Sequence, residues 1–498
     1  MNNAKTNRRD FLASMSFSVA ALAAGNTTVL ARNNAAQTAT NQTQNGSTDK
    51  KPNIIIIFSD QMRSFSLGCY GNRFVKTPNI DRLAESGLRF ETAVSNSPTC
   101  VPGRSNLLSG QYCRTCVGAR ANEMTKGLGS DGLYGRNDRL KFPDITLAEV
   151  LKKSGYKTAE VGKWHIDTKP TLLGFDEVLT EGRKSEMGGK YLNQYADLES
   201  VKSYVKENKN EPFFLYYNIL SPHMPIFHDV PEKYTQMYKP EKVPLRKNVL
   251  KDGRIAYDRR WFGIYTGGLP RYRKSGNDDL PPDFSLRELT ALYYGAVTWV
   301  DDLIGELMST LKAEGVEDNT IILFAADHGD LLGSHHLWNK ARLYDEAVRI
   351  PMIFRWPAVI KKASVNKKQV ASLVDVMPTL LSLCGEKIPE TVQGQNLAPL
   401  LRGETDSLEQ DYAFIETPYR EAGIRTPKHL YGALVSEDDT AIMEDEYLFF
   451  DMEKDPYQTN NLAKTAGKSA IAKNLRQKLL EWDKNTPRLK GDHYKPWV

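Results

Sequence analysis

Short apolar runs recur along the chain, and each ends abruptly in polar residues. NIIIIF (53–58) runs into Ser59, Asp60 and Gln61, and KTAEV (157–161) into Gly162, Lys163, Trp164 and His165. FFLYYNIL (213–220) runs into Ser221, Pro222 and His223, and TIILFAA (320–326) into Asp327, His328 and Gly329. Runs of this length, rich in β-branched and aromatic residues, predict buried strands. Helical stretches lie between them, so the pattern predicts an α/β fold with a large mixed, mostly parallel sheet and helices on both faces. Ligands of such sheets bind beyond the carboxyl ends of the strands. Any one of these polar residues alone is an ordinary loop residue; four strands that all deliver Asp, Lys or His to one edge predict a site.

The helices carry signals of their own. Thr146 with Glu149 and Ser285 with Glu288 have the capping-box spacing, and Gly155 and Gly315 provide stops. Between Ser285 and Gly315, Leu289, Leu292, Tyr293, Ala296, Val300, Leu303, Leu307 and Leu311 recur at helical spacing and predict a core-facing stripe. Asp301 and Asp302 of the same helix are expected on a solvated face. SPTCVPGRSNLLSG (97–110) predicts a helix with Pro102 in its first turn and Gly110 as its stop. Cys100 then lies at the helix N-terminus, where free N–H groups and the dipole favour an anion, with Arg104 one turn in. From these residues alone two readings of Cys100 stay open: a buried cysteine beside an ion-paired arginine, or an activated thiolate nucleophile.

After Cys384 the chain changes character. GEKIPETVQGQNLAPLLRGE is loop-like, YAFIET, LYGALVS, TAIMED and EYLFFDM resemble short strands, and Lys468 to Trp482 is amphipathic. Residues 386–498 are therefore expected to form a smaller α+β domain with an antiparallel sheet, beside a catalytic domain over residues 51–385.

Composition narrows the class. At 498 residues, 40% hydrophobic and 26% charged, the chain suits a folded protein with more than one core. A net charge of +5 is too small for this length to indicate a nucleic-acid partner, and none is expected. The first segment has a basic start with Arg8 and Arg9, then a moderately apolar run interrupted by Ser14, Ser16 and Ser18 and ending in VLA. This is the layout of a twin-arginine export signal over residues 1–31, and the run is too short and broken for a membrane anchor. Residues 32–50 are polar and expected to be a disordered spacer. The mature chain is expected to be exported, periplasmic or secreted, without a membrane span. Five cysteines (Cys69, Cys100, Cys113, Cys116, Cys384) are too few and odd in number for a disulfide framework. Cys113 and Cys116 are expected to be structural thiols or a local disulfide.

CVPGR (100–104) resembles the C-x-P-x-R signature of the type I sulfatases, in the alkaline phosphatase superfamily. The order of the other motifs agrees: FSDQ (58–61), then GKWH (162–165), SPH (221–223), ADHGD (326–330) and HHLWNK (335–340), while DMEKDPYQTNNL (451–462) resembles the C-terminal pattern. The resemblance implies that a separate maturation enzyme oxidises Cys100 to formylglycine, whose aldehyde hydrates to a geminal diol. One hydroxyl attacks the sulfur of a sulfate ester and expels the alcohol; the second drives elimination of sulfate and restores the aldehyde. It further implies that Asp60, Gln61, Asp327 and His328, with the modified Cys100, hold a divalent cation, usually calcium. Arg104, Lys163 and Lys340 would neutralise charge on oxygen, His165 would take a proton from the diol, and His223 and Lys340 would protonate the leaving alcohol.

Three positions depart from the pattern. Gln61 stands where an aspartate is often found, His328 where many relatives use asparagine, and Gly103 where a small polar residue is commoner; glycine there is expected to leave the modifying enzyme access. The implied activity is sulfuric ester hydrolysis on a sulfated carbohydrate, such as an algal glycan (ulvan) or a glycosaminoglycan. Lys163, His223, Lys340, His336, Arg425 and the aromatic segment RRWFGIYTGGLPRYR (259–273) are the expected contacts to an anionic sugar. Two other readings stay open: a phosphonate monoester or phosphodiester hydrolase of the same superfamily, and an inactive sulfated-glycan-binding protein. Twin-arginine export moves folded proteins, whereas the maturation enzyme acts on accessible chain, so conversion is expected in the cytoplasm before folding and export.

Overall fold

A computed structural model describes residues 50–118, 144–166, 168–180, 193–226, 230–251, 253–256, 258–266, 282–360, 364–437, 441–444 and 447–489. The expected export signal, all of the spacer before Lys50 and residues 267–273 of the aromatic segment lie outside the described residues. Residues from Pro52 onward belong to one compact unit.

In chain order the main elements are β1 (Asn53–Asp60), α1 (Pro78–Glu85), β2 (Leu88–Val94), α2 (Cys100–Ser109), α3 (Cys113–Cys116), α4 (Leu147–Lys153), β3 (Lys157–Gly162), β4 (Glu177–Val178), α5 (Gln194–Asn208) and β5 (Phe213–Pro222). A small hairpin of β6 (Leu250–Lys251) and β7 (Arg254–Ile255) follows, then α6 (Pro282–Ala313), β8 (Thr320–Ala326), β9 (Arg349–Ile350), β10 (Met352–Arg355), β11 (Ser364–Ser372) and α7 (Val376–Leu383). The chain continues through β12 (Ala413–Thr417), β13 (Glu421–Arg425), β14 (His429–Leu434), β15 (Leu448–Asp451) and α8 (Ala470–Asn485).

Nine strands form one sheet in the order β11-β2-β10-β8-β1-β5-β3-β4, with β9 on β2. The four strands with polar ends, β8, β1, β5 and β3, stand side by side and run parallel. Their ends are level: Ser59 faces Ala326, Asp60 faces Pro222 and Gly162 faces Asn218. Chemistry-bearing residues that follow these strands therefore share one edge. Antiparallel β10 makes the sheet mixed. Every residue of β1 and β8 is buried, which requires cover on both faces. Helices α5 and α6 pack together against β3 and β5, while α2, α4 and α7 form a second group.

The expected stripe of α6, from Leu289 to Leu311, is fully buried. Two expectations for this helix change. It begins at Pro282 rather than at Ser285, because proline's fixed φ suits a first helical turn. Asp301 is buried rather than solvated: its carboxylate accepts from the backbone N–H groups of Asn79 (3.1 Å) and Ile80 (2.7 Å) at the start of α1. The α1 cap residue Thr77 makes no capping bond with its side chain, so Asp301 supplies that function from another helix. Asp302 remains partly exposed and accepts from Tyr234. By contrast, Thr146 and Glu149 form the expected reciprocal capping box.

The C-terminal region carries a separate antiparallel sheet, β12-β13-β14-β15, with α8 against it. TAIMED makes only a single bridge, Ile442 to Val435, since Ile442 alone among its described residues is buried. The strand in the sheet is instead EAGIR, whose polar letters conceal five buried residues. Trp482 of α8 packs on Tyr112 and Phe414, and Arg114 of α3 lies over its ring while pairing with Glu416 and Asp483. All five cysteines are free thiols, so Cys113 and Cys116 form no disulfide; Cys113 donates to Glu416.

Candidate active site

Asp60 ends β1, Lys163 follows β3, His223 follows β5, and Asp327 and His328 follow β8. The turn after each strand must bend sharply to keep these groups at the edge. Gln61 (φ 64°) and His165 (φ 49°) accordingly adopt left-handed backbone. Helix α2 points its first residue, Cys100, into the same space. Cys100 Sγ lies 2.8 Å from Lys340 Nζ, 3.3 Å from His328 Nε2, 3.7 Å from Lys163 Nζ and 3.8 Å from Asp60 Oδ1. His165 and His223 also hydrogen-bond it. Burial pushes the thiol up, but Lys163, Lys340 and His328 outweigh it and hold it well below its usual range. An atom at this position is surrounded by groups that favour negative charge on it.

The carboxylates are fixed just as tightly. Asp60 Oδ2 takes Lys163 Nζ at 2.6 Å and Arg104 Nη2 at 2.8 Å. Burial and the Cys100 charge raise Asp60, yet Lys163, His223 and Arg104 hold it well below the carboxylate range. Asp327 Oδ1 accepts from the Gln61 and His328 backbone N–H groups at 3.0 and 2.9 Å, and its Oδ2 meets Arg104 at 3.2 Å. Burial, with the Asp60 charge beside it, pushes Asp327 up to about 7. His223 donates from Nδ1 to the Met224 carbonyl, which leaves Nε2 facing Lys340 at 3.3 Å. Burial and the lysines pull His223 down to about 4, so it is neutral near pH 7.

Asp60, Cys100, Asp327 and His328 offer ligand atoms that all lie within 4.8 Å of one another. His328 bonds the Gly329 carbonyl through Nδ1, which fixes the tautomer and leaves Nε2 for the cluster. Gln61 Oε1 is buried without a hydrogen-bond partner, while its Nε2 is held by Asp330 at 2.8 Å and Asn339 at 3.2 Å. A buried carbonyl oxygen left open on the residue after Asp60, next to a cluster with two carboxylates, fits a divalent cation.

The sulfatase family model matches residues 52–386, more than half of the chain. The chain belongs to the sulfatase family. It is a sulfuric ester hydrolase. A second family model, N-sulphoglucosamine sulphohydrolase, C-terminal, matches residues 333–485 of this sulfatase. An ulvan-active sulfatase of Formosa agariphila is 29% identical, covering 83% of this chain and 77% of its own. An N-acetylglucosamine-6-O-sulfatase of Bacteroides thetaiotaomicron is 28% identical, covering 87% of each. The fold is shared with a solved phosphonate monoester hydrolase from Silicibacter pomeroyi, at 22% identity, a TM-score of 0.65 and coverage of 88% and 96%.

Not every expected residue of the sulfatase reaches the cluster. Arg425 is buried in β13, with Nε and Nη2 each 3.0 Å from the Asp345 carboxylate, because a guanidinium enclosed there needs a counter-charge. His336 meets the Arg254 carbonyl at the β6–β7 hairpin, away from the bonds around Cys100. Of the aromatic segment, residues 259–266 form a short helix. Its Tyr265 is buried and bonds Asp330, which places it behind Gln61. Arg104 is fully buried beneath the two aspartates, so it holds the carboxylates in place.

The sequence reading missed the groups that brace the site. Glu160 and Asn218 lie on the sheet face under Arg104, and Asp330 and Asn339 hold Gln61. A usable signal exists for Asn218, one polar letter inside the apolar run FFLYYNIL, whereas Glu160 follows Lys157 and Thr158 in its strand and stands out less.

Proposed function

We propose that this sulfatase removes sulfate from a sulfated carbohydrate through a formylglycine made from Cys100, with a divalent cation held by Asp60, Gln61, Asp327 and His328. The observation that carries the reading is the position of Cys100: a helix N-terminus whose side-chain atom is met by two lysines and lies beside a buried carboxylate pair. Cys100 Sγ stands in for the formylglycine oxygen. That residue, hydrated, would supply one hydroxyl to attack sulfur and a second to release the sulfate, and Asp60, Gln61, Asp327 and His328 would hold a cation whose charge would polarise the sulfate oxygens. Lys163 and Arg104 hold Asp60 as an anion. Lys340, whose ammonium is further stabilised by Cys100, Asp60 and Asp327, faces the leaving oxygen as proton donor. His223, neutral and hydrogen-bonded to Lys340, orients that donor. His165, neutral and half-buried, accepts a proton from the diol.

The relatives act, by name, on ulvan and on N-acetylglucosamine 6-sulfate, which supports a glycan substrate. The twin-arginine leader supports export to the periplasm or beyond, after conversion by a maturation enzyme in the cytoplasm. No helix among the described residues is long and apolar enough to cross a membrane.

Sulfate release from defined ulvan and glycosaminoglycan oligosaccharides, with paired aryl sulfate and aryl phosphodiester controls, tests the reading. A strong preference for the phosphodiester would replace it with the phosphonate-hydrolase one. Mass analysis of the peptide containing position 100, from protein made in its native host, must show loss of sulfur for oxygen. Replacing Arg8 and Arg9 by lysine should trap active enzyme inside the cell.

A further inference from the structure

Behind Asp60 and Asp327, three fully buried polar side chains form a line. Arg104 Nη1 donates to Asn218 Oδ1 at 2.8 Å, and Asn218 Nδ2 donates to Glu160 Oε1 at 3.0 Å. The sheet sets this line. Gly162 of β3 faces Asn218 of β5 with φ +99°, and a Cβ there would lie 1.9 Å from the Asn218 carbonyl oxygen, so only glycine allows the approach. Glu160, two residues earlier, projects from the same face of β3. The Asn218 carbonyl also accepts the Lys163 N–H at 3.1 Å, and the Lys163 carbonyl gives Arg104 Nη1 its second acceptor at 2.7 Å.

A buried amide can face a guanidinium with its oxygen or, unfavourably, with its nitrogen. Glu160 is the nearer of two acceptors that set the orientation: with the Tyr216 carbonyl at a longer 3.5 Å, it draws Nδ2 toward itself and leaves Oδ1 for Arg104. Arg104 Nη1 is then held at two points, and Nη2 lies between Asp60 and Asp327. A carboxyl here is expensive for packing alone. Its second oxygen, Oε2, has no hydrogen-bond partner, and burial pushes the group well above the carboxylate range.

We propose that Glu160 and Asn218 are positioning residues for the sulfatase reaction: they lock the Arg104 guanidinium so that it holds the Asp60 and Asp327 carboxylates in their ligating arrangement. Neither touches substrate. The proposal rests on the functional reading above, in that the two aspartates serve a divalent cation.

The test compares wild type with Asn218→Leu, Glu160→Leu and Glu160→Gln, all converted at Cys100, by kcat and KM on an aryl sulfate, by calcium titration calorimetry and by thermal unfolding. The leucine variants should lower kcat and weaken calcium binding by roughly 10–100-fold, the range for groups that orient metal ligands, with KM little changed. Glu160→Gln keeps an acceptor for Asn218 Nδ2 and should retain most of both. The proposal is overturned if Glu160→Gln is as damaging as Glu160→Leu, or if folded Asn218→Leu keeps its kcat and calcium affinity. Should a leucine variant lack a thermal transition, Asn218→Ser and Glu160→Ala are held to the same criterion. Wild type that neither releases sulfate nor binds calcium sinks the functional reading itself, whereas active wild type with unaffected variants sinks the positioning role alone.

Discussion

Lys340 Nζ lies 2.8 Å from Cys100 Sγ, whereas Lys163, at 3.7 Å from the same atom, is tied to Asp60 at 2.6 Å. The two lysines therefore stand differently, one facing the Cys100 side chain and the other anchoring a carboxylate. Replacing Lys340 by methionine should lower kcat by about 10²–10³, the usual loss for one charged group at a developing charge. The loss should be larger for a sugar sulfate than for a 4-nitrophenyl sulfate, because only the poorer leaving group needs the proton. Equal losses on both substrates would remove Lys340 as proton donor.

Chelation followed by dialysis should abolish turnover, and calcium should restore it. Gln61→Leu removes the open Oε1, and should weaken calcium binding by roughly 10–100-fold while kcat recovers at saturating calcium. Calorimetry on the stripped protein checks this. Full turnover by metal-free protein would end the cation reading.

Gly103 has a packing reason that its sequence context did not reveal. A Cβ at this position would lie 2.6 Å from the Asp327 backbone oxygen, which does not yield as a flexible side chain would. Gly103→Ser should therefore destabilise the fold by about 1–3 kcal/mol through overpacking, and lower kcat by displacing Asp327. Urea unfolding and steady-state rates measured on one preparation separate the two effects.

Burial raises the Asp301 carboxyl to about 6 from an ordinary 3.8. The folded state thus keeps this proton where the unfolded chain has released it. Between about pH 4 and pH 6 the native state binds more protons, so this group makes stability fall as pH rises, with the loss complete above the folded value. Asp301→Asn should flatten that part of the profile. Urea midpoints for both proteins across the window test the sign; an identical slope would reject it.

The sheet and the edge where its polar residues gather were legible because strands with apolar bodies and polar ends declare both burial and position. Cys100 was legible for a similar reason, with Pro102 and Gly110 marking its helix. The ion pair of Arg425 was not legible, because composition cannot show that Asp345, eighty positions earlier, supplies its counter-charge. Asp301 was misread because helical periodicity describes one helix and is blind to the exposed N–H groups of another. Asn218 escaped because the strand pattern absorbs a single polar letter, Glu160 because its strand already carries Lys157 and Thr158, and their hydrogen bond joins strands far apart in sequence.

Every residue of α2, from Cys100 to Ser109, is buried. On the proposed reading, oxidation of Cys100 and docking of this helix compete for the same peptide, and docking ends the contest. The proportion of molecules able to turn over is then fixed by a race during synthesis. Two preparations identical in spectrum, melting temperature and metal content would differ in specific activity, and a substitution that only speeds the closing of the sheet would look like a catalytic defect.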